Sequence, residues 1–557
     1  LSVENPDGII KDVIYPLYSK ELLADLVKDL KMKNTFFKKK VYILMKNSYS
    51  KHYRRMLPKL LDILMFKSNN DTHRPVINAI GLIKRIVESP VKFIAIDENT
   101  PISGIIKDKW KSAVIQKDDS GREVIEKINY EICVLQALRE KLRCKEIWVD
   151  GADKYRNPEE DLPDNFDINR KEYYEALKQP SDVEDFIAKL QKEMACSLRQ
   201  LNKTVLKNPK VRISNNKGGQ ITVTPFEAQK EPKNLSALKN ELAKRWPMIN
   251  LLDILKETDF YTDLTSQFKS SGVRESMDRE TIKRRLLMAL FSLGTNTGLK
   301  RIAKASNDPK SFDELRYVKR KFINKDSLRN AIVAVVNNIF EVRTNSIWGE
   351  GTSCASDSKK FGAWDQNLMT EWHIRYRGRG VMIYWHVEKN STCIYSQLKN
   401  CSSSEVAAMI EGVLKHCTDM TVNKNYVDTH GQSEVAFAFS HLLNFSLMPR
   451  FKNINRQKLY IPDNEIKDEL TNLTPVVTRS INWDIIREQY DQMIKYTTAL
   501  RIGTAETEAI MKRFTKSNLQ HPTYAALQEL GKVVKTIFLC EYLMSEELRI
   551  EINEGLN

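Results

Sequence analysis

Asn425-Tyr426-Val427-Asp428-Thr429-His430-Gly431-Gln432-Ser433-Glu434 is the stretch on which the reading of this chain turns. Its first four residues read as a short strand ending in a carboxylate. Val435, Ala438, Phe439, Leu442 and Leu443 then fall on one face of an amphipathic helix. Upstream, Ser402 and Glu405 have the S-x-x-E spacing of a capping box, and Val406, Ile410, Val413, Leu414 and Cys417 share one face of the helix it would open. Before that helix, Val381 to Val387 and Thr392 to Leu398 are rich in β-branched and aromatic residues and read as two strands around Glu388-Lys389-Asn390-Ser391. Further upstream, the small-residue stretch Gly351-Thr352-Ser353-Cys354-Ala355-Ser356 ends in Asp357. The predicted order is β–β–β–α–β–α. One aspartate ends the first strand, and another, 71 residues later, ends the fourth.

In a ribonuclease-H-like sheet, strands one and four are neighbours, so these carboxylates would lie side by side. Two carboxylates that close repel, and one protonates unless a cation neutralises both. Mg²⁺ is the natural cation, being hard and oxygen-seeking and usually sharing one or two carboxylates with water and phosphate oxygens. A pair of such ions clamps the attacking and leaving oxygens of a phosphodiester displacement. An aspartate where a strand stops is also a common turn or cap residue. Pattern alone leaves both readings open.

Outside this core the chain is long and basic. A chain of 557 residues exceeds the roughly 250–300 residues at which a single core stops growing, so several domains are expected. Apolar residues make up 41% and charged residues 29%, ordinary for a soluble globular protein. The net charge of +16 favours polyanionic partners, nucleic acid first, or simply a solvated basic surface. Residues 1–60 hold 13 basic and 6 acidic side chains. There Lys38-Lys39-Lys40, His52, Arg54, Arg55 and Lys59 mingle with Phe36, Phe37, Tyr42, Tyr49 and Tyr53, which suits a phosphate-tracking surface or an exposed helix face. The eight cysteines form no CxxC pair, and no apolar run is long enough to span a bilayer. Free, mostly buried thiols in a reducing cytoplasm are expected.

The fold class expected is α+β multidomain, with helical scaffold domains around a ribonuclease-H-like α/β core that carries a helical insertion. Residues 1–95 read as helical and basic. Residues 96–235 are mixed, with a helix over Tyr130 to Leu142, a short strand at Glu146 to Val149, and a hairpin about Asn215-Asn216-Lys217-Gly218-Gly219. Residues 236–345 return to helices around a break at Gly294-Thr295-Asn296-Thr297-Gly298. Residues 346–462 form the core, and residues 463–557 are helical again. Trp148, Trp348, Trp364, Trp372 and Trp385 are expected in the core rather than as base-stacking platforms.

Tyr426-Val427-Asp428-Thr429-His430-Gly431 is very similar to the Y-V-D-T-H-G motif of the Tn-three family of transposases, which mobilise replicative transposons. Ser356-Asp357-Ser358-Lys359-Lys360-Phe361 resembles the family's S-D-G-Q-R-F stretch. Arg285 to Gly298, Trp148-Val149-Asp150-Gly151 and Leu447-Met448-Pro449-Arg450 are further likenesses, so the resemblance spans most of the chain from about residue 40 onward. It implies that Asp357 and Asp428 are the first two catalytic, metal-binding aspartates of a DDE transposase using Mg²⁺, with Mn²⁺ as a substitute. It also implies 3′-end cleavage and strand transfer at terminal inverted repeats. His430 would contact DNA phosphate or a reacting oxygen, or cap the helix start. Glu434, in the first turn of a helix, is explained by the helix dipole alone.

Lys359, Lys360, Arg375, Arg377, Arg379, Arg450 and Lys452 would line a DNA channel, part of them merely solvated. Two departures stand out. Ser358 replaces the family's glycine, and the family's catalytic glutamate follows a G-L-N triplet that here is Gly555-Leu556-Asn557, the last three residues. No third catalytic carboxylate is therefore expected within this chain, and the resemblance reads as a catalytic part truncated at both ends. The partners implied are double-stranded DNA (transposon ends and target) and a second copy in a homodimer, with no membrane, in a cytoplasmic, nucleoid-associated setting. Two rivals are a catalytically incomplete DNA-binding or dimerising remnant, and a ribonuclease-H-like nuclease without strand transfer.

Overall fold

The structure is a computed structural model. It describes residues 18–556 apart from 99, 154, 228–230, 247–248, 271–276, 306–310, 368, 374–376, 390–391, 429–430 and 516–520; the side chains at 29, 31–39 and 217 also fall outside the description. Two compact units divide after Leu162.

The first unit opens with α1 (Lys20–Ser48), capped by the Ser19 hydroxyl, which accepts from Leu22 N at 3.2 Å and runs into a π-helical turn at Tyr49–Tyr53. It continues through α2 (Leu57–Ile63), β1 (Phe66–Lys67), α3 (Arg74–Ile86), β2 (Phe93–Ala95), α4 (Asp108–Val114), β3 (Ile115–Lys117), β4 (Glu123–Glu126), α5 (Lys127–Arg143) and β5 (Trp148–Val149). Residues 1–95 are thus not wholly helical: Phe66 pairs with Val149, and Phe93–Ala95 pair with β4.

The basic-aromatic mixture expected at the surface is also partly internal. Glu131 on α5 is fully buried and must be paired. It accepts from Tyr49 Oη at 2.9 Å and from Arg54 Nε at 2.9 Å. Tyr42 packs against Trp110, ring centroids 4.6 Å apart. These three side chains are committed to the core, while Phe36, Phe37, Lys38 and Lys39 have side chains outside the described residues.

The second unit begins with α6 (Arg170–Ala176) and α7 (Val183–Thr204), followed by the expected hairpin of β6 (Val211–Ser214) and β7 (Gln220–Val223), turned at Gly219 with φ +90°. Among the described residues there follow α8 (Leu235–Arg245), α9 (Leu251–Thr262), α10 (Arg279–Gly294), α11 (Leu299–Ala305), α12 (Ser311–Phe322), α13 (Lys325–Val342) and α14 (Asn345–Trp348). Leu264 and Phe268 after α9, Ile282 and Leu286 on α10, Val318 and Phe322 on α12 and Ala331 on α13 form one core.

A six-stranded sheet comes next. It is built from β8 (Ser353–Gly362), β9 (Glu371–His373), β10 (Gly378–Glu388), β11 (Cys393–Asn400), β12 (Lys424–Val427) and β13 (Ser446–Pro449), with α15 (Glu405–Lys415) and α16 (Glu434–Leu442) between strands. The order is β11-β10-β8-β12-β13, with β9 on the far end of β10. β10 is antiparallel to β8 and β11, whereas β12 is parallel to β8 and β13.

α15 covers one sheet face, where buried His386 and Gln397 bond to the carbonyls of Met409 and Ala408 at 3.0 and 2.6 Å. After β14 (Leu459–Ile461) and its partner β15 (Val477–Ser480), which falls inside the stretch expected to be helical, come α17 (Trp483–Ile502), α18 (Thr507–Arg513), α19 (Pro522–Met544) and α20 (Glu546–Leu556). α20 lies along β12, where Glu551 accepts from Lys424 Nζ at 2.8 Å and Tyr426 Oη at 2.5 Å. Among the described residues no helix is long and apolar enough to cross a membrane. All eight cysteines are free, and only four are buried, fewer than expected.

Candidate active site

Register sets the site. The parallel ladder between β8 and β12 ends at Ser356 opposite Val427, so Asp357 and Asp428 are the next residue on each strand. Both line one small cavity with Ser356, Tyr384, Glu405 and Val427. Asp357 does not end its strand, as the small-residue reading had it. β8 runs five residues further because Ser358 to Gly362 keep pairing with β10. It is the parallel partner that stops, and this leaves the Asp357 carboxylate exposed in mid-strand.

Asp428 is half-buried and flanked on its other side by β13. Arg450, directly after β13, donates its backbone N–H to the Val427 carbonyl at 3.0 Å, extending the ladder by one bond. This places its guanidinium Nη2 3.2 Å from Asp428 Oδ1.

A third carboxylate was missed in the sequence. Glu405 reads there as the far end of a capping box, but the N-cap is Ser404, whose hydroxyl accepts from Ala407 N at 3.3 Å. The Ser402 hydroxyl donates to Glu371 instead. Glu405 is therefore the first helical residue, and its Oε1 accepts from Ser358 Oγ at 3.2 Å. Only the strand pairing of Ser358 beside Tyr384 brings Glu405 into the cavity. Burial first, then the Glu405 and Asp357 carboxylates, hold the Tyr384 hydroxyl well above the usual phenol range, so it stays protonated.

The expected DNA-channel residues divide. Lys359, Arg377 and Lys452 are exposed. Lys360 Nζ on β8 donates to the Gly378 carbonyl at the start of β10 at 3.2 Å, and Arg379 Nη1 on β10 to the Thr370 carbonyl just before β9 at 2.7 Å, so each ties β10 to a neighbouring segment. Arg375 and His430 lie outside the described residues. Glu434 pairs with Lys535 at 3.5 Å, an anchor between α16 and α19. The expectation that tryptophans are core holds for Trp148. It fails for Trp348, Trp364 and Trp372, which are exposed.

The donors fit a hard cation. Asp357 and Asp428 offer adjacent carboxylate oxygens, with no thiolate or described imidazole beside them in the cavity. Among the described residues no group of three or more His, Cys, Asp or Glu side chains is arranged to hold a metal. An ion here would draw on two carboxylates and complete its shell with water and phosphate oxygen.

Residues 253–557 match the family described as Tn3 transposase DDE domain. The chain is 27% identical to the transposase of transposon Tn1546 from Enterococcus faecium over 92% of its own length and 50% of that protein. It is 25% identical to the transposase of transposon Tn21 from Escherichia coli and to that of transposon Tn501 from Pseudomonas aeruginosa, each over 90% of this chain and 50% of the relative. The chain thus spans about half the length of the relatives it matches.

Proposed function

The chain belongs to the Tn3 transposase DDE domain family, and from that premise we propose that it is the DNA-cutting and strand-joining part of a replicative transposase. In this reading the six-stranded sheet with α15 is a ribonuclease-H-like catalytic core. The observation that carries it is the register Ser356–Val427, which makes Asp357 and Asp428 neighbours at the open end of the parallel ladder.

Asp357 and Asp428 would hold Mg²⁺, or Mn²⁺ in its place. When bound, the ion supplies the Lewis acidity that lets water, and later a DNA 3′-hydroxyl, attack a phosphodiester. The chain's own residues position and screen. Glu405 fixes Ser358 beside Asp357, and protonated Tyr384 closes the cavity floor. Arg450 balances Asp428 and is placed to receive a phosphate oxygen. Lys359, Arg377 and Lys452 add exposed positive charge for the backbone of transposon ends and target DNA. A homodimer on paired inverted repeats completes the proposal.

The test is Mn²⁺ binding by calorimetry alongside duplex DNA binding. Asp357→Asn and Asp428→Asn should each weaken Mn²⁺ binding ~10-fold or more, since each removes one of two carboxylate ligands. DNA affinity should be unchanged or slightly raised. Undiminished Mn²⁺ binding in both variants would remove the assignment.

A further inference from the structure

Strand alternation sorts the side chains of the long β8–β10 ribbon into two faces. Asp357 opposes Trp385, Lys359 opposes Ile383, Phe361 opposes Val381, and Trp372 on β9 opposes Arg379. Directly paired residues share a face and alternate residues repeat it, so these all lie on the face away from α15. α20 covers this face over Ala355 and Tyr426, and beyond it Asp357, Lys359, Phe361 and Trp372 are exposed, Phe361 at 43% and Trp372 at 55%. Phe361 and Trp385 meet edge to face, centroids 6.2 Å apart at 70°. At the end of β8, Trp364 is 85% exposed. The strip begins at the aspartate. Phe361 is four residues along the strand from Asp357, about 13 Å at the usual rise.

A phosphate channel needs cations, not rings. Large exposed aromatics on a well-formed strand are unfavourable in water unless something covers them. Flat rings beside Lys359, with Arg377 exposed in the turn before β10, match one kind of ligand, a single nucleic-acid strand whose bases stack while its phosphates meet the cations. A paired duplex hides its base faces and cannot use the rings. We propose that this face is a stacking platform for unpaired DNA bases next to the scissile phosphate, with Phe361 and Trp372 as its principal rings. The chain would thus hold the transposon end partly melted. The inference rests on the transposase reading above, and continuity along one strand with Asp357 commits the face to DNA rather than to another protein.

The probes are a duplex and the same duplex with an unpaired tail of about four nucleotides, the smallest site size usual for such surfaces. The tail carries 2-aminopurine. The chain should bind the tailed probe more tightly and quench the 2-aminopurine. Phe361→Ala and Trp372→Ala should each reduce that preference about five-fold or more, the loss of one stacked base, and leave duplex affinity unchanged. Phe361→Tyr and Trp372→Phe, which keep a ring, should retain it. If the alanine variants keep the preference, or the parent has none while still binding duplex, the platform is wrong and the transposase reading stands. If no form of DNA binds, both fall. If the alanine variants dissociate a dimer and leave the tailed-probe preference unmoved, the face is a protein interface and the platform is overturned.

Discussion

Arg450 Nη2 lies 3.2 Å from Asp428 Oδ1, on one of the two carboxylates proposed to hold a divalent ion. Both side chains are about half exposed, so the contact is screened and weak as a source of stability. Its value is electrostatic balance, because it offsets one of two adjacent negative charges when no metal is present. Arg450→Ala should therefore enlarge the rise in Tm that Mg²⁺ produces, because the empty site is left less compensated. Melting with and without Mg²⁺, in the parent and the variant, checks this. An identical Mg²⁺ shift in both would show that Arg450 does not share the carboxylate with the ion.

The cationic residues on and beside the β8–β10 ribbon should separate by what they touch. Lys359 and Arg377 are exposed, while Arg379 is held by the Thr370 carbonyl. Each lost phosphate contact lowers the slope of log affinity against log salt by about 0.9 for duplex DNA. Lys359→Ala and Arg377→Ala should each flatten the slope by about that amount, whereas Arg379→Ala should loosen the β9–β10 pairing and leave the slope nearly unchanged. Fluorescence anisotropy across a salt series gives all three values.

The strands and helices around the site were legible because they are regular. Val381 to Val387 and Asn425 to Asp428 carry β-branched and aromatic residues, and α15 and α16 carry apolar stripes; the elements stand where they were read, with ends shifted by up to three residues, as at β10, which starts at Gly378. What escaped was set by pairing across the chain. Nothing local says that β8 continues past Asp357, since Ser358-Lys359-Lys360 is polar, and only its antiparallel partner β10 holds it extended. Glu405 escaped for a similar reason. A glutamate opening a helix is sufficiently explained by the helix dipole, and its place at the site depends on the fold bringing Ser358 opposite. The tryptophans were misread because burial is the usual fate of an indole. Trp372 is exposed because it lies on the sheet face opposite α15, and Trp364 because it lies just past the end of β8.

Gly531 and Gly81 should respond oppositely to alanine. A Cβ at Gly531 on α19 would run into the backbone of Glu434, the first residue of the helix that follows Asp428, whereas a Cβ at Gly81 on α3 meets nothing. In a helix interior Ala is favoured over Gly by about 0.8–1 kcal/mol. Forcing backbones apart costs about 1–3 kcal/mol. Gly81→Ala should therefore raise Tm and Gly531→Ala should lower it. A rise in both would mean that α16 and α19 are not in close backbone contact.

His386 makes the sheet sensitive to acid. Its ring is fully buried on β10, with Nε2 on the Met409 carbonyl and Nδ1 facing Gly412 without a hydrogen-bond partner. Protonation would put a second N–H where no acceptor stands. Burial accordingly pushes the imidazole from its ordinary value of 6.5 down to about 4, against the opposing effect of the Met409 bond.

The sign follows from linkage. Between pH 6.5 and about 4 the unfolded chain binds a proton here that the folded chain does not, so stability is full above 6.5 and falls as pH drops toward 4. Two to three pKa units correspond to at most about 3–4 kcal/mol. His386→Gln retains an amide donor for Met409 and carries no titrating group. It should lower stability at neutral pH yet flatten the loss between pH 6.5 and 4. Hydrogen exchange of the β10 amides at several pH values, in the parent and the variant, reads this directly; parallel profiles would show that the histidine is not what acid attacks.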